Sequence, residues 1–82
     1  MRYLGIDYGE KRIGIAVSDP LGRIAFPKKV IFNRGRELVL VKLKSLLEEE
    51  KISLIVVGLP VGLNGKDTEQ TKRVRDFAEM LK

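Results

Sequence analysis

Apolar and polar positions divide the chain into short strand-like runs at its start and two helical stretches further on. Positions 2–7 and 12–18 read as strands. In the second, Ile13, Ile15 and Val17 recur at every other position and mark one face, with small Gly14 and Ala16 on the other. Asp19-Pro20-Leu21-Gly22 is a turn, since proline presets one backbone angle and glycine relieves strain. A third strand is predicted over about 23–32, with Pro27 marking an edge or a bulge. Three strands joined by tight turns make an antiparallel meander, closed by 33–35.

A helix is predicted over about 36–50, with Val39, Leu43, Leu46 and Leu47 at the spacing of successive turns. Positions 52–57 form a run rich in β-branched residues and apolar except for Ser53, which fits a parallel strand buried on both faces in a sheet centre. Gly58-Leu59-Pro60 ends that strand, and a loop with Gly62, Asn64 and Gly65 follows. Asp67 and Gln70 have capping-box spacing for a last helix, whose apolar stripe is Val74, Phe77, Ala78 and Leu81. The expected order is β-β-β-α-β-α. A doubly wound α/β sheet would normally continue, so the expectation is one domain, 1–82, that stops short of a closing C-terminal strand and helix.

Composition narrows the chemistry. Eighty-two residues suffice for one domain and leave a thin stability margin. The apolar runs are too short to cross a bilayer, and the first residues lack the pattern of a secretory signal. No cysteine is present, which excludes disulfides and suits a cytoplasmic location. No histidine is present either, so any bound metal must be held by oxygen, which points to Mg2+ or Mn2+ rather than zinc.

The formal charge is +5, and the excess lies before Glu37. There Arg2, Lys11, Arg12, Arg23, Lys28, Lys29, Arg34 and Arg36 face only Asp7, Glu10 and Asp19. Such a localised excess is the footprint of a phosphate-backbone binder, the alternative being a merely solvated surface. Asp7 ends the first strand beside Gly9, where a carboxylate is rigidly held yet accessible, as a metal or catalytic site requires. Lys11 and Arg12 flank that turn and could bind a phosphate, or simply be solvated. The loop containing Gly58, Pro60 and Gly65 follows the carboxyl end of a parallel strand, where open α/β sheets place ligands. With Lys66 and a helix start behind it, the loop is a candidate substrate contact. Asp19, just before Pro20, is better placed to organise its turn than to hold a metal.

These residues also carry a resemblance. Gly5-Ile6-Asp7-Tyr8-Gly9 with the run from Lys11 to Asp19, then Val56-Val57-Gly58-Leu59-Pro60, Gly65 and Val74-Arg75-Asp76-Phe77-Ala78, resemble the two motifs of the YqgF/RuvX-like family. The resemblance covers nearly the whole chain. It implies a ribonuclease-H-like mixed sheet and metal-dependent phosphodiester hydrolysis by carboxylates that clamp Mg2+ or Mn2+. Family members are described as Holliday junction resolvases and as nucleases that mature the 5′ end of pre-16S rRNA, so branched DNA or precursor rRNA is the implied partner. Asp7 matches the family's first acid. The family's later acids, a glutamate in an Asp-Glu-Arg segment and an aspartate near the C-terminus, have no counterpart among these residues. The resulting expectation is a nuclease portion inactive alone. The alternatives are a non-catalytic nucleic-acid-binding or regulatory module, or an actin-like phosphate hairpin lacking its second nucleotide-binding half. A free sheet edge makes homodimerisation a further expectation.

Overall fold

A computed structural model of the chain describes residues 1–62 and 64–82. Its elements are β1 (Arg2–Asp7), β2 (Arg12–Ser18), β3 (Ala25–Phe32), α1 (Arg36–Glu49), β4 (Ile52–Val57) and α2 (Glu69–Met80). The sheet order is β3-β2-β1-β4. β1 and β2 pair antiparallel, as do β2 and β3, whereas β4 lies parallel to β1. The β-β-β-α-β-α order expected from the hydrophobic pattern is the order observed.

One face of the sheet supplies Leu4 and Ile6 from β1, Ile13, Ile15 and Val17 from β2, and Ile31 from β3 to the core. Both helices contribute to that core, α1 through Val39, Leu43 and Leu46, and α2 through Phe77. The alternation read along β2 is therefore the buried register. On β3 the bulge implied by Pro27 is present: Ile15 faces Lys29 and Ala16 faces Pro27, so Lys28 is the extra residue. Lys28 is thereby turned to Glu50 at the end of α1, which it meets at 2.7 Å, and Arg2 reaches the same carboxylate at 3.0 Å. This triad ties the start of β1 and the middle of β3 to the helix.

Three expectations are corrected. β3 begins at Ala25 rather than at 23, because the Asp19 carboxylate accepts the backbone N–H groups of Arg23 (2.7 Å) and Ile24 (2.9 Å) and holds both in the turn. That is the turn-organising role expected of Asp19. The capping box of α2 is made by Thr68 and Thr71, not by Asp67 and Gln70. Each threonine hydroxyl accepts the other's backbone N–H, while Asp67 pairs instead with Arg75. β4 is parallel as expected but neither central nor buried on both faces. It ends the sheet order, and Leu54 and Val56 on its outer face are 51% and 53% exposed. Among the described residues the helices cover only one face of this sheet, and no layer lies against the apolar residues on the other face.

Candidate nucleic-acid interface and acid site

Because side chains alternate along a strand, the residues that send Leu4 and Ile6 inward send Gly5 and Asp7 outward. Asp7 pairs with Gly14, and Gly14 with Val30, so these three form one row across the outer face. A side-chain carbon added at Gly14 would sit 3.6 Å from the Asp7 Cβ, which places both on the same face. Around them lies an open recess of about 540 Å³ lined by Gly5, Gly14, Ala16, Pro27 and Val56, with Asp7 and Gly58 at one end. Small residues keep this face shallow beside the carboxylate. The Asp7 side chain is exposed and has no salt-bridge partner among the described residues.

The loop after Asp7 is held from three directions. The Gln70 side-chain amide on α2 donates to the Tyr8 carbonyl at 2.9 Å. The Asn33 amide, just past β3, donates to the Gly9 carbonyl at 3.1 Å and to the Tyr8 hydroxyl at 3.2 Å, and the Asn33 backbone N–H reaches the Lys11 carbonyl at 2.8 Å. The Tyr8 ring stacks on Phe77 with centroids 4.2 Å apart. Gly9 is required here by close approach: any side chain would run into the carbonyl oxygen of Arg12. The backbone on which the Asp7 carboxylate stands is thus held by strand pairing before it and by this braced loop after it, without the residue being buried.

The other residues singled out in the sequence are distributed as follows. Gly58 comes to Asp7, because its N–H donates to the Ile6 carbonyl at 3.0 Å and continues the β4–β1 pairing to the end of β1. Pro60 is anchored to α2 through its carbonyl, which accepts the Thr71 hydroxyl. Gly65 and Lys66 lie in a small turn of their own, where the Gly62 N–H donates to the Lys66 carbonyl at 2.8 Å and Gly65 has φ +75°. Neither lines the recess beside Asp7. Lys11 and Arg12 are exposed on the braced loop, and the Arg12 guanidinium turns toward the Phe32 ring, 6.0 Å from its centroid.

Asn33, Gln70 and Phe32 were not legible as site residues. Asn33 reads as a turn residue and Gln70 as a cap, and their contacts cross 24 and 62 positions of sequence. For Phe32 a signal was available: an aromatic on the outer parity of β3, followed by Asn33-Arg34-Gly35-Arg36.

The basic excess is partly committed to ion pairs. Arg2 and Lys28 are held by Glu50, and Arg73 by Glu10. Lys11, Arg12, Arg34 and Arg36 lie in or directly border the two loops at the Asp7 end of the sheet and have no salt-bridge partner among the described residues. Among the described residues no three acidic side chains gather in a group that could hold a metal ion. Asp7 is the one acid on the recess. No helix of the described residues is long and apolar enough to cross a membrane.

Comparison with known proteins agrees with this picture. The family model described as "RuvX: Holliday junction resolvase" matches residues 1–82. A protein of Nitratidesulfovibrio vulgaris (strain DSM 19637 / Miyazaki F), named "Putative pre-16S rRNA nuclease", is 48% identical over 82 residues, all of this chain and 58% of its own length. Proteins of the same name from Maridesulfovibrio salexigens and Sulfurihydrogenibium sp. (strain YO3AOP1) are 46% and 48% identical over 81 residues, covering 60% and 54% of their lengths. The chain thus spans somewhat more than half of the curated relatives it matches. With the family model matched from end to end, the chain belongs to the RuvX Holliday junction resolvase family, and its mixed four-stranded sheet is ribonuclease-H-like.

Proposed function

We propose that this chain carries the first acid and part of the substrate-binding surface of a nuclease that hydrolyses phosphodiester bonds in structured nucleic acid. The observation that carries the reading is Asp7. It is exposed at the end of β1, just before a loop braced by Asn33 and Gln70, with exposed cations in and beside the loops at that end of the sheet. The names of the relatives support precursor 16S rRNA as substrate. The family description equally supports a DNA junction. Both present closely spaced phosphates, which Lys11, Arg12 and their neighbours would attract and orient.

Mg2+ or Mn2+ is the implied cofactor, and Asp7 is its first ligand in this reading. When bound, such an ion supplies Lewis-acid stabilisation of phosphate charge. One carboxylate holds a divalent ion weakly against water, so in this reading Asp7 shares the ion with substrate phosphate and further oxygen ligands.

The test uses a form extended to the full length of its relatives. Cleavage of a pre-16S 5′ segment and of a four-way DNA junction is measured with Mn2+, and Asp7→Asn is compared with wild type. The expected result is loss of cleavage with the circular dichroism spectrum unchanged. Undiminished cleavage by Asp7→Asn sinks the role of Asp7. The exposed Lys11, Arg12, Arg34 and Arg36 support a second reading for the 82-residue chain alone: binding without cleavage, weakened by salt and indifferent to metal.

A further inference from the structure

Phe32 stands out among the exposed apolar side chains because its surroundings are cationic rather than apolar. It ends β3, directly across from Arg12 in the β2–β3 register. Its neighbour Ile31 is 1% exposed and supplies the core contact of this part of the strand, whereas Phe32 is 52% exposed on the opposite face. Two guanidiniums stand over its ring, that of Arg12 at 6.0 Å and that of Arg34 at 5.9 Å from the centroid. Both lie at the outer limit of cation–π contact, so neither is packed down on the ring. A large exposed aromatic gains nothing for the core. An exposed ring with two guanidiniums about 6 Å from its centroid puts a π-surface beside positive charge, the combination that binds an unpaired base together with its flanking phosphates.

We propose that Phe32, with Arg12 and Arg34, is a stacking platform for an unpaired nucleobase, so that the substrate presents a single-stranded segment beside the Asp7 recess. This deepens the nuclease reading and rests on its nucleic-acid component. Placement supports it. Asp7, Gly14 and Val30 share one row of the outer face, and Phe32 stands two residues further along β3 on that face. Strand spacing and rise put the two positions about 12 Å apart across the sheet. A strand stacked on Phe32 therefore passes the acid within a few nucleotides. The next residue, Asn33, holds the loop that follows Asp7, so the platform and the acid share one rigid support.

The chain contains no tryptophan, so Phe32→Trp introduces a single indole at the platform, whose emission is excited selectively over that of the two tyrosines. The 82-residue chain is titrated with short oligouridylate and oligothymidylate, with an abasic backbone of equal length, and with a duplex of equal length. The proposal expects single strands to quench the fluorescence of the Phe32→Trp variant while the abasic backbone leaves it unchanged. It also expects Phe32→Leu to weaken single-strand binding by about 5- to 150-fold without altering the slope of affinity against salt. Arg12→Gln, by contrast, lowers that slope by about one. Tight binding by wild type that Phe32→Leu leaves unchanged, or equal quenching by the abasic backbone, overturns the platform and leaves the nuclease reading standing. Failure of wild type to bind any of the nucleic acids overturns the nucleic-acid reading and the platform with it.

Discussion

Along β1, Leu4 and Ile6 turn into the core while Gly5 and Asp7 turn away from it. Along β2, Ile13, Ile15 and Val17 face inward and Gly14 and Ala16 outward. The same two strands thus present a face of large branched side chains and a face whose middle, at Gly5, Gly14 and Ala16, is nearly bare backbone. The inner face is chosen for burial: both helices pack on it, and each of its residues is nearly inaccessible to water. The outer face is chosen for access. It has the recess and the acid, and its apolar members on β4 remain half exposed. The lesson is that stability and proposed chemistry occupy opposite sides of one sheet, joined through the braced loop after Asp7.

Substitutions separate the two faces. Leu4 is fully buried, and Leu4→Ala should lower unfolding free energy by about 2–5 kcal/mol, read from urea denaturation. In a domain this small, that approaches the whole margin. Gly9→Ala should cost about 1–3 kcal/mol, because the added methyl group forces the loop away from the Arg12 carbonyl. Its signature is a shift of amide resonances in the 7–12 loop with the inner face unperturbed.

Acid weakens the connection between sheet and helix. The Lys28 hydrogen bond, helped by the charges of Lys28 and Arg2 and opposed by partial burial, holds the Glu50 carboxyl below its ordinary value of 4.5. Backbone N–H groups, that of Ile24 foremost, likewise hold Asp19 below 3.8. A carboxyl lowered by folding stabilises fully above its unfolded value, and the contribution is lost as pH falls through the folded one. Stability should therefore decline below about pH 4.5, and Glu50→Gln should flatten that decline in pH-resolved thermal melts. The smallest effect belongs to the outer face. Val56→Thr should change stability by no more than about 0.5 kcal/mol, since Val56 is half exposed. A loss comparable to that of Leu4→Ala would show that the outer face is covered in solution and would end the contrast between the two faces.

Much of this was legible in the chain itself. The order of elements, the inward register of β2, the bulge at Pro27, the Asp19 turn and the exposed position of Asp7 all follow from side-chain periodicity and backbone restrictions, which act over a few residues. The cap of α2 lies one position from the expected one, because Asp67 and Thr68 are both competent caps. The choice was made by distant or reciprocal partners, Arg75 for one and Thr71 for the other. β4 departs from expectation for a related reason. A continuous apolar run declares that a strand is apolar on both sides, but whether each side is covered depends on which layers exist.

The tertiary structure decided the rest. It brought Gly58 beside Asp7, turned Arg12 toward Phe32, and sent Asn33 and Gln70 across the molecule to brace one loop. Local sequence determines which way a side chain points from its own strand or helix, because that is set by backbone geometry a few residues long. What the side chain meets there is set by chain segments far away in sequence, and only the assembled sheet and helices specify it.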